Sequence, residues 1–241
     1  MAAGHLAGIQ AHSLSLMIND NADGTHGFRF FGSDEFKSDA QIDGQELQGL
    51  IDYARAALRK TAWGDERPYT DQIYRYDGPP SPQRLREDLI SLAVRGYRIY
   101  DQIINRLAGG AAQAQKLYQL MSNRGLVQIA LKQSARFVLP AALIYDYPLD
   151  TNADPGDYTL CPQFLESLEG QVNLEESDCF AGNCPSRGDD LTICPSGFWG
   201  FRHELGMPLS LADAPDVPTE IHVPGGLNFV ISVCLDPAFV M

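Results

Sequence analysis

Positive charge is scarce in this sequence: 18 Lys and Arg stand against 31 Asp and Glu in 241 residues, a formal net charge of −13. A field of that sign repels phosphate backbones and anionic lipid, which argues against nucleic-acid and membrane partners. No apolar run approaches the roughly 18 residues that a membrane-spanning helix needs. Residues 1–10 have neither a basic start nor a long apolar stretch, so no secretion signal is read and the chain is expected in the cytoplasm. Its five cysteines are then expected as reduced thiols or metal ligands, not disulfides. A nucleotide-binding loop, a Gly-x-Ser-x-Gly elbow and a His-Glu-x-x-His helix are all absent, and Gly225-Gly226 is too little to cradle a phosphate.

What is present alternates between strand and helix. Leu14, Leu16 and Ile18 share one face of a strand, Asn19 to Gly24 is dense turn chemistry, and Phe28 to Phe31 resumes an aromatic strand, so a β-hairpin is expected. Leu47, Leu50, Ile51, Ala54 and Leu58 repeat at helical spacing behind Asp43 as N-cap and Glu46 three residues on. After a polar loop, Ser81-Pro82 opens a second helix whose buried stripe reads Leu85, Leu89, Leu92, Ala93 and Tyr100. A shorter third helix follows Gly109-Gly110, near 111–121. Leu126 to Leu131 is a strand with Val127, Ile129 and Leu131 on one side. The apolar stretch at 141–145 fits either helix or strand.

Strand-like runs return at 191–194, 220–223 and 227–235. The last is nearly continuous (Leu227, Phe229, Val230, Ile231, Val233), as in a central strand covered on both faces. The class expected is α/β. Because the crossover after such a strand would lie past Met241, the sequence reads as cut short.

Between 146 and 190 eleven acids meet one base, Arg187, so most of the net charge sits in about a fifth of the chain. That is either a solvated, loop-rich insert, with one short helix at 162–168, or a cation site or dock for a basic partner. Four of the cysteines fall in or beside it: Cys161, Cys179, Cys184 and Cys194. Four thiolates suit tetrahedral zinc, and Cys179 and Cys184 form a Cys-x4-Cys half-knuckle whose reversal Gly182 and Pro185 assist. A metal staple benefits most a segment with little core of its own. Cys161 and Cys179 lie 18 apart, so a second short pair is missing and incidental free thiols remain the alternative. Four cysteines would leave no open position for catalysis.

The stretch Cys194-Pro195-Ser196-Gly197-Phe198-Trp199-Gly200-Phe201-Arg202-His203 packs three aromatics between glycines. It reads as an anchor for the insert, with a ligand-stacking platform flanked by Arg202 and His203 as the other reading. A His203–Cys234 dyad would need both groups at the rim of a site, whereas Cys234 sits late in an apolar, buried-looking strand where a thiol is inert. It is not adopted.

Three features resemble the CHAT family, the caspase-like peptidase domains of bacteria. Phe137-Val138-Leu139-Pro140-Ala141-Ala142-Leu143-Ile144-Tyr145-Asp146 is similar to the family's Leu-Pro-Trp-Glu segment running into Tyr-Asp, with Ala141 and Ala142 in place of Trp-Glu. The order hairpin, helix, longer helix, strand matches the family's front half. The 194–203 stretch ahead of the strand at 227–235 resembles a subgroup of these proteins. Together they span 14–236. The resemblance implies a caspase-like mixed sheet flanked by helices and a thiol endopeptidase, often in bacterial defence or regulated cell death. The family's catalytic pair, a His-Gly at one strand end and a Cys at the end of the next, would come after the strand ending near 235, so no catalytic residue is carried over and no cofactor beyond structural zinc is expected.

The expected organisation is an N-terminal α/β subdomain at 1–145, an acidic Cys-rich insert at 146–218, and the first strand region of a catalytic-like subdomain at 219–241. The chain is read as the regulatory or structural front of a CHAT-like cysteine endopeptidase without its dyad, buttressing the catalytic sheet and presenting the insert to a protein partner or protein substrate. The alternatives are a non-enzymatic protein-binding module using the insert and the aromatic turn, and an inactive fragment.

Overall fold

A computed structural model of the chain describes residues 13–33, 35–63, 80–131, 139–170 and 173–207. The expected strands at 220–223 and 227–235, with Cys234 and the proposed third subdomain, lie outside these residues. All described residues belong to one compact unit, Met1–Ser210. The fold is mixed α/β.

The hairpin forms as the alternation predicts. Strand β1 (Leu14–Asp20) pairs antiparallel with β2 (Thr25–Gly32), placing Leu16 opposite Phe30 and Ile18 opposite Phe28. Asp20 and Asp23 close the turn by accepting hydrogen bonds from the backbone N–H groups of Ala22 and Thr25, both at 2.9 Å. A third strand, β3 (Lys37–Asp43), continues the meander against β2. Its inward residues are Ser38, Ala40 and Ile42, two of them small and one polar, which is why no strand pattern stands out in its sequence.

Helix α1 (Gly44–Trp63) starts where Asp43 Oδ1 accepts from the Gln45 and Glu46 N–H groups. Leu47, Ile51 and Ala54 are buried as expected, but Leu58 is exposed. Glu46 does not reach back to complete a capping box. Its carboxylate instead takes two hydrogen bonds from Arg106, at 2.7 and 2.9 Å.

Helix α2 (Pro82–Asn105) has Ser81 as N-cap and Pro82 at its first turn. Its expected stripe is corrected: Leu85, Leu89 and Leu92 are only half-buried, while Ile90, Ala93, Gly96, Ile99, Tyr100 and Ile103 are buried. The helix has two jobs. Ile99, Tyr100 and Ile103 join the core under the sheet, and Ile90 and Ala93 join a second core formed by the insert. One buried stripe cannot serve two partners on different sides.

Helix α3 (Gly110–Leu120) follows, and β4 (Leu126–Leu131) then lies parallel to β1, with Val127 and Ile129 fully buried. Helices cover one face of the sheet. On the other face Met17 and Phe31 are exposed. The stretch at 141–145 resolves into a 3-10 turn, Ala141–Leu143, and a single bridge from Tyr145 to Phe198.

The insert contains β5 (Thr159–Leu160), α4 (Pro162–Leu168), β6 (Thr192–Ile193) and the single turn α5 (Trp199–Arg202). The chain then returns as β7 (Glu204–Gly206), parallel to β4, giving the sheet order β3-β2-β1-β4-β7. The acids at 150, 154, 157, 189 and 190 do not define a core-less loop, because Tyr145, Tyr147, Tyr158, Phe164, Ile193 and Phe198 pack together beneath them. No helix among the described residues is long and apolar enough to cross a membrane.

Candidate metal centre

The two-residue strands β5 and β6 run parallel, with Leu160 opposite Ile193. The residues that follow, Cys161 and Cys194, are therefore brought level, and Cys161 N–H donates to Ile193 O at 2.9 Å. Sheet register supplies the second pair that sequence spacing alone does not show. Cys179 and Cys184 arrive on a tight reversal in which Asn183 N–H bonds to Asp178 O at 2.8 Å and Gly182 takes a φ of +90°. A left-handed residue of this kind is cheap only for glycine.

All four cysteines are buried, and their sulfur atoms lie within 4.8 Å of one another. Cys161 Sγ is 3.6 Å from Cys179 Sγ and 3.8 Å from Cys184 Sγ. A tetrahedron with metal–sulfur bonds of about 2.3 Å has edges of about 3.8 Å, so the spacing fits one ion with four thiolate ligands. The four cysteines could hold a metal ion, and they leave no ligand position open for a substrate.

Thiol–thiol hydrogen bonding divides the cluster. Hydrogen bonds from Cys179 and then Cys184 push the Cys161 thiol far down. Hydrogen bonding with Cys161 and then Cys184 pushes the Cys179 thiol up. A divalent cation would replace these shared protons.

Polar side chains surround the sulfurs. Ser196 Oγ donates to Cys194 Sγ at 3.0 Å and itself bonds to Tyr147 Oη at 2.9 Å. Ser186 Oγ lies 3.6 Å from Cys161 Sγ, and Gln163 Oε1 lies 3.2 Å from Cys179 Sγ.

The aromatic stretch after Cys194 is an anchor. Phe198 and Trp199 are buried, Tyr145 meets Phe198 edge-on at 5.0 Å, and Trp199 N–H bonds to Ile144 O at 2.8 Å. Arg202 is also buried. Its guanidinium pairs with Asp146 and donates to Ser196 O and, at 3.1 Å, to Met121 O. Trp199 Nε1 donates to the same Asp146 oxygen at 3.2 Å. Burial pushes the Asp146 carboxyl up, against the opposing pull of Arg202 and Arg187. By sequence Asp146 is only one acid of the charged run. Its position at the end of an apolar stretch, between Tyr145 and Tyr147, is the signal that distinguishes it.

His203 is buried as well. Desolvation, followed by the adjacent Arg202 charge, pushes its imidazole down to about 3, so the ring is neutral. Among the described residues the four cysteines converge on one another and form no nucleophile–base pair.

No family model matches this chain, and no solved structure matches it. Over 98% of its length the chain is 39% identical to a probable protease of Vitiosangium sp. (strain GDMCC 1.1324), across 246 aligned residues. The alignment covers 32% of that protein, so the chain spans about a third of its relative's length.

Proposed function

We propose that this chain is the non-catalytic, supporting part of a larger cysteine peptidase of the CHAT-like kind, with its insert stapled by one structural zinc ion. The observation that carries the reading is the alignment of nearly the whole chain with only a third of a probable protease. The chemistry of the described residues agrees. Their cysteines are consumed in one four-thiol cluster, and His203 is a neutral core residue.

Zinc is the metal favoured by four thiolates at tetrahedral spacing. Cys161, Cys179, Cys184 and Cys194 would hold it. The ion would fix the insert and supply no Lewis-acid site. Through Ser196 and Arg202 the same cluster ties into Asp146 and the end of α3, so the staple also holds the sheet's neighbouring segment in place.

The test is a peptidase assay on the purified chain, with its metal content measured in parallel. No hydrolysis of an unfolded protein substrate and about one zinc per chain are expected. Hydrolysis abolished by Cys234→Ser would place the nucleophile in this chain and overturn the supporting role.

A further inference from the structure

Helix α2 turns one face toward the loop at 151–158, and a cavity of about 560 Å³ lies between them. Ser91, Val94, Arg95 and Arg98 recur at helical spacing along this face, and all four line the cavity. Ala153, Pro155 and Tyr158 form the far wall. Arg86 holds that wall in place, its guanidinium donating to Tyr158 O and, at 3.2 Å, to Gly156 O. Arg86 is therefore occupied by the scaffold.

Arg95 and Arg98 are not. Among the described residues neither forms an ion pair with a carboxylate. Glu87, the one acid in the lining, pairs with Arg84 at 3.1 Å. Arg95 lies 4.6 Å over the Tyr53 ring and makes only long hydrogen bonds to its own helix, 3.4 Å to Ser91 O and 3.5 Å to Ser91 Oγ. Stacking of this kind fixes the plane of a guanidinium without using its donors. Arg98 is exposed, and its charge reaches the far wall. Burial raises the Tyr158 phenol most and Asp150 raises it further, whereas Arg98 lowers it. In a chain with 18 bases against 31 acids, two adjacent guanidiniums lacking a carboxylate leave a local excess of positive charge.

The surroundings select the anion. Asp150 and Asp157 both act on Tyr158, so acids stand close enough to disfavour a dianion such as phosphate. A carboxylate carries a single charge and matches the guanidinium fork. Val94, Ala153 and Pro155 give apolar surface for the methylenes behind such a head. The volume exceeds what one side chain fills, leaving room for the chain that presents it.

We propose that this cavity receives a glutamate side chain presented by a polypeptide segment. Its carboxylate accepts from Arg98, and the Arg95 guanidinium one turn away adds a second positive charge. The methylenes rest on Val94, Ala153 and Pro155. The proposal goes beyond the supporting role above and does not depend on it, because binding is measured without any peptidase readout.

The experiment titrates the full chain with N-acetyl-glutamate methylamide, followed by proton–nitrogen correlation NMR. Its blocked ends leave only the side-chain charge. N-acetyl-glutamine methylamide is the neutral isostere, and glutarate and inorganic phosphate stand for free anions. Saturable binding of the glutamate probe at about millimolar affinity is expected, with the glutamine probe roughly tenfold weaker or worse and both free anions weaker than the glutamate probe.

Arg98→Gln should abolish binding and leave the melting temperature unchanged, since the residue is exposed and unpaired among the described residues. Arg59→Gln makes the same charge change at an exposed position of α1 outside the cavity, and should leave binding intact. Equal binding of the glutamine probe, tighter binding of either free anion, or no saturable binding of the glutamate probe would each overturn the proposal. So would undiminished binding by Arg98→Gln, or an equal loss in Arg59→Gln (a response to net charge alone).

Discussion

Asp146 and Arg202, 56 residues apart in sequence, form an ion pair in which both side chains are fully buried. The pair joins the segment after the 3-10 turn to the aromatic anchor. Arg202 adds the end of α3 through Met121 O. Three separate pieces of chain therefore depend on one guanidinium.

Removing one partner leaves a buried charge uncompensated, which costs roughly 3–5 kcal/mol, whereas replacing both with apolar residues of similar volume is near neutral. Asp146→Asn should accordingly lower stability in urea denaturation by about that amount. Asp146→Leu combined with Arg202→Met should recover much of the loss. A single variant as stable as the parent would show that the pair contributes no such constraint.

The cysteine cluster makes a second prediction. Cys179→Ser with Cys184→Ser should abolish zinc binding and lower the melting temperature by on the order of 10 °C, because metal-binding energy in a small motif is folding energy. Ser196→Ala is subtler. It removes only the hydroxyl that donates to Cys194 Sγ. Loss of an outer hydrogen bond to a ligand typically weakens metal affinity by roughly 10–100-fold. Competition with a chromophoric chelator measures this directly. A double cysteine variant that melts with the parent and loses no metal would remove the staple.

Glycines in two helices give opposite expectations for the same substitution. Gly96 in α2 sits where an added Cβ would stand 1.9 Å from Leu143 O, a backbone atom. Gly49 in α1 has nothing within 4 Å of the corresponding position. Helix propensity favours Ala over Gly by about 1 kcal/mol, so Gly49→Ala should stabilise by up to that much. Gly96→Ala should destabilise by about 1–3 kcal/mol despite the same propensity gain, because α2 must move off the 3-10 turn. Thermal melts of the two variants should therefore shift in opposite directions, and a Gly96→Ala chain that melts with or above the parent would show that α2 does not press on the 3-10 turn.

How far the sequence carried the fold depends on the range of the interactions involved. The hairpin of Leu14, Leu16 and Ile18 with Phe28 was legible because alternation and turn residues are local. The N-caps at Asp43 and Ser81 and the short helix at Pro162 were legible for the same reason. The strands β3 and β7 were not, since Ser38 and Ala40 carry no apolar signal and β7 is three residues long. The four cysteines were nameable as a set. Their second pair appears only when parallel β5 and β6 set Cys161 beside Cys194, a register fixed across 33 residues. The Asp146–Arg202 pair was hidden for a related reason: an acid in an acidic run and a base in an aromatic run carry no mark of each other.

His203 offers the last test, through pH. An unfolded histidine titrates near 6.5, whereas burial and Arg202 hold the folded ring to about 3. Between those values the unfolded chain binds a proton that the native state does not, so stability rises with pH across this window. The contribution is complete above about pH 6.5 and is lost progressively as pH falls toward 3. Its size is on the order of a few kcal/mol, since each tenfold loss of proton affinity on folding corresponds to about 1.4 kcal/mol. His203→Gln keeps a polar side chain of similar reach but cannot titrate. Urea denaturation at pH 7 and pH 5 should show a smaller loss of stability for this variant than for the parent. Equal losses would mean that the imidazole is free to protonate in the folded protein, and that His203 faces solvent instead of the core.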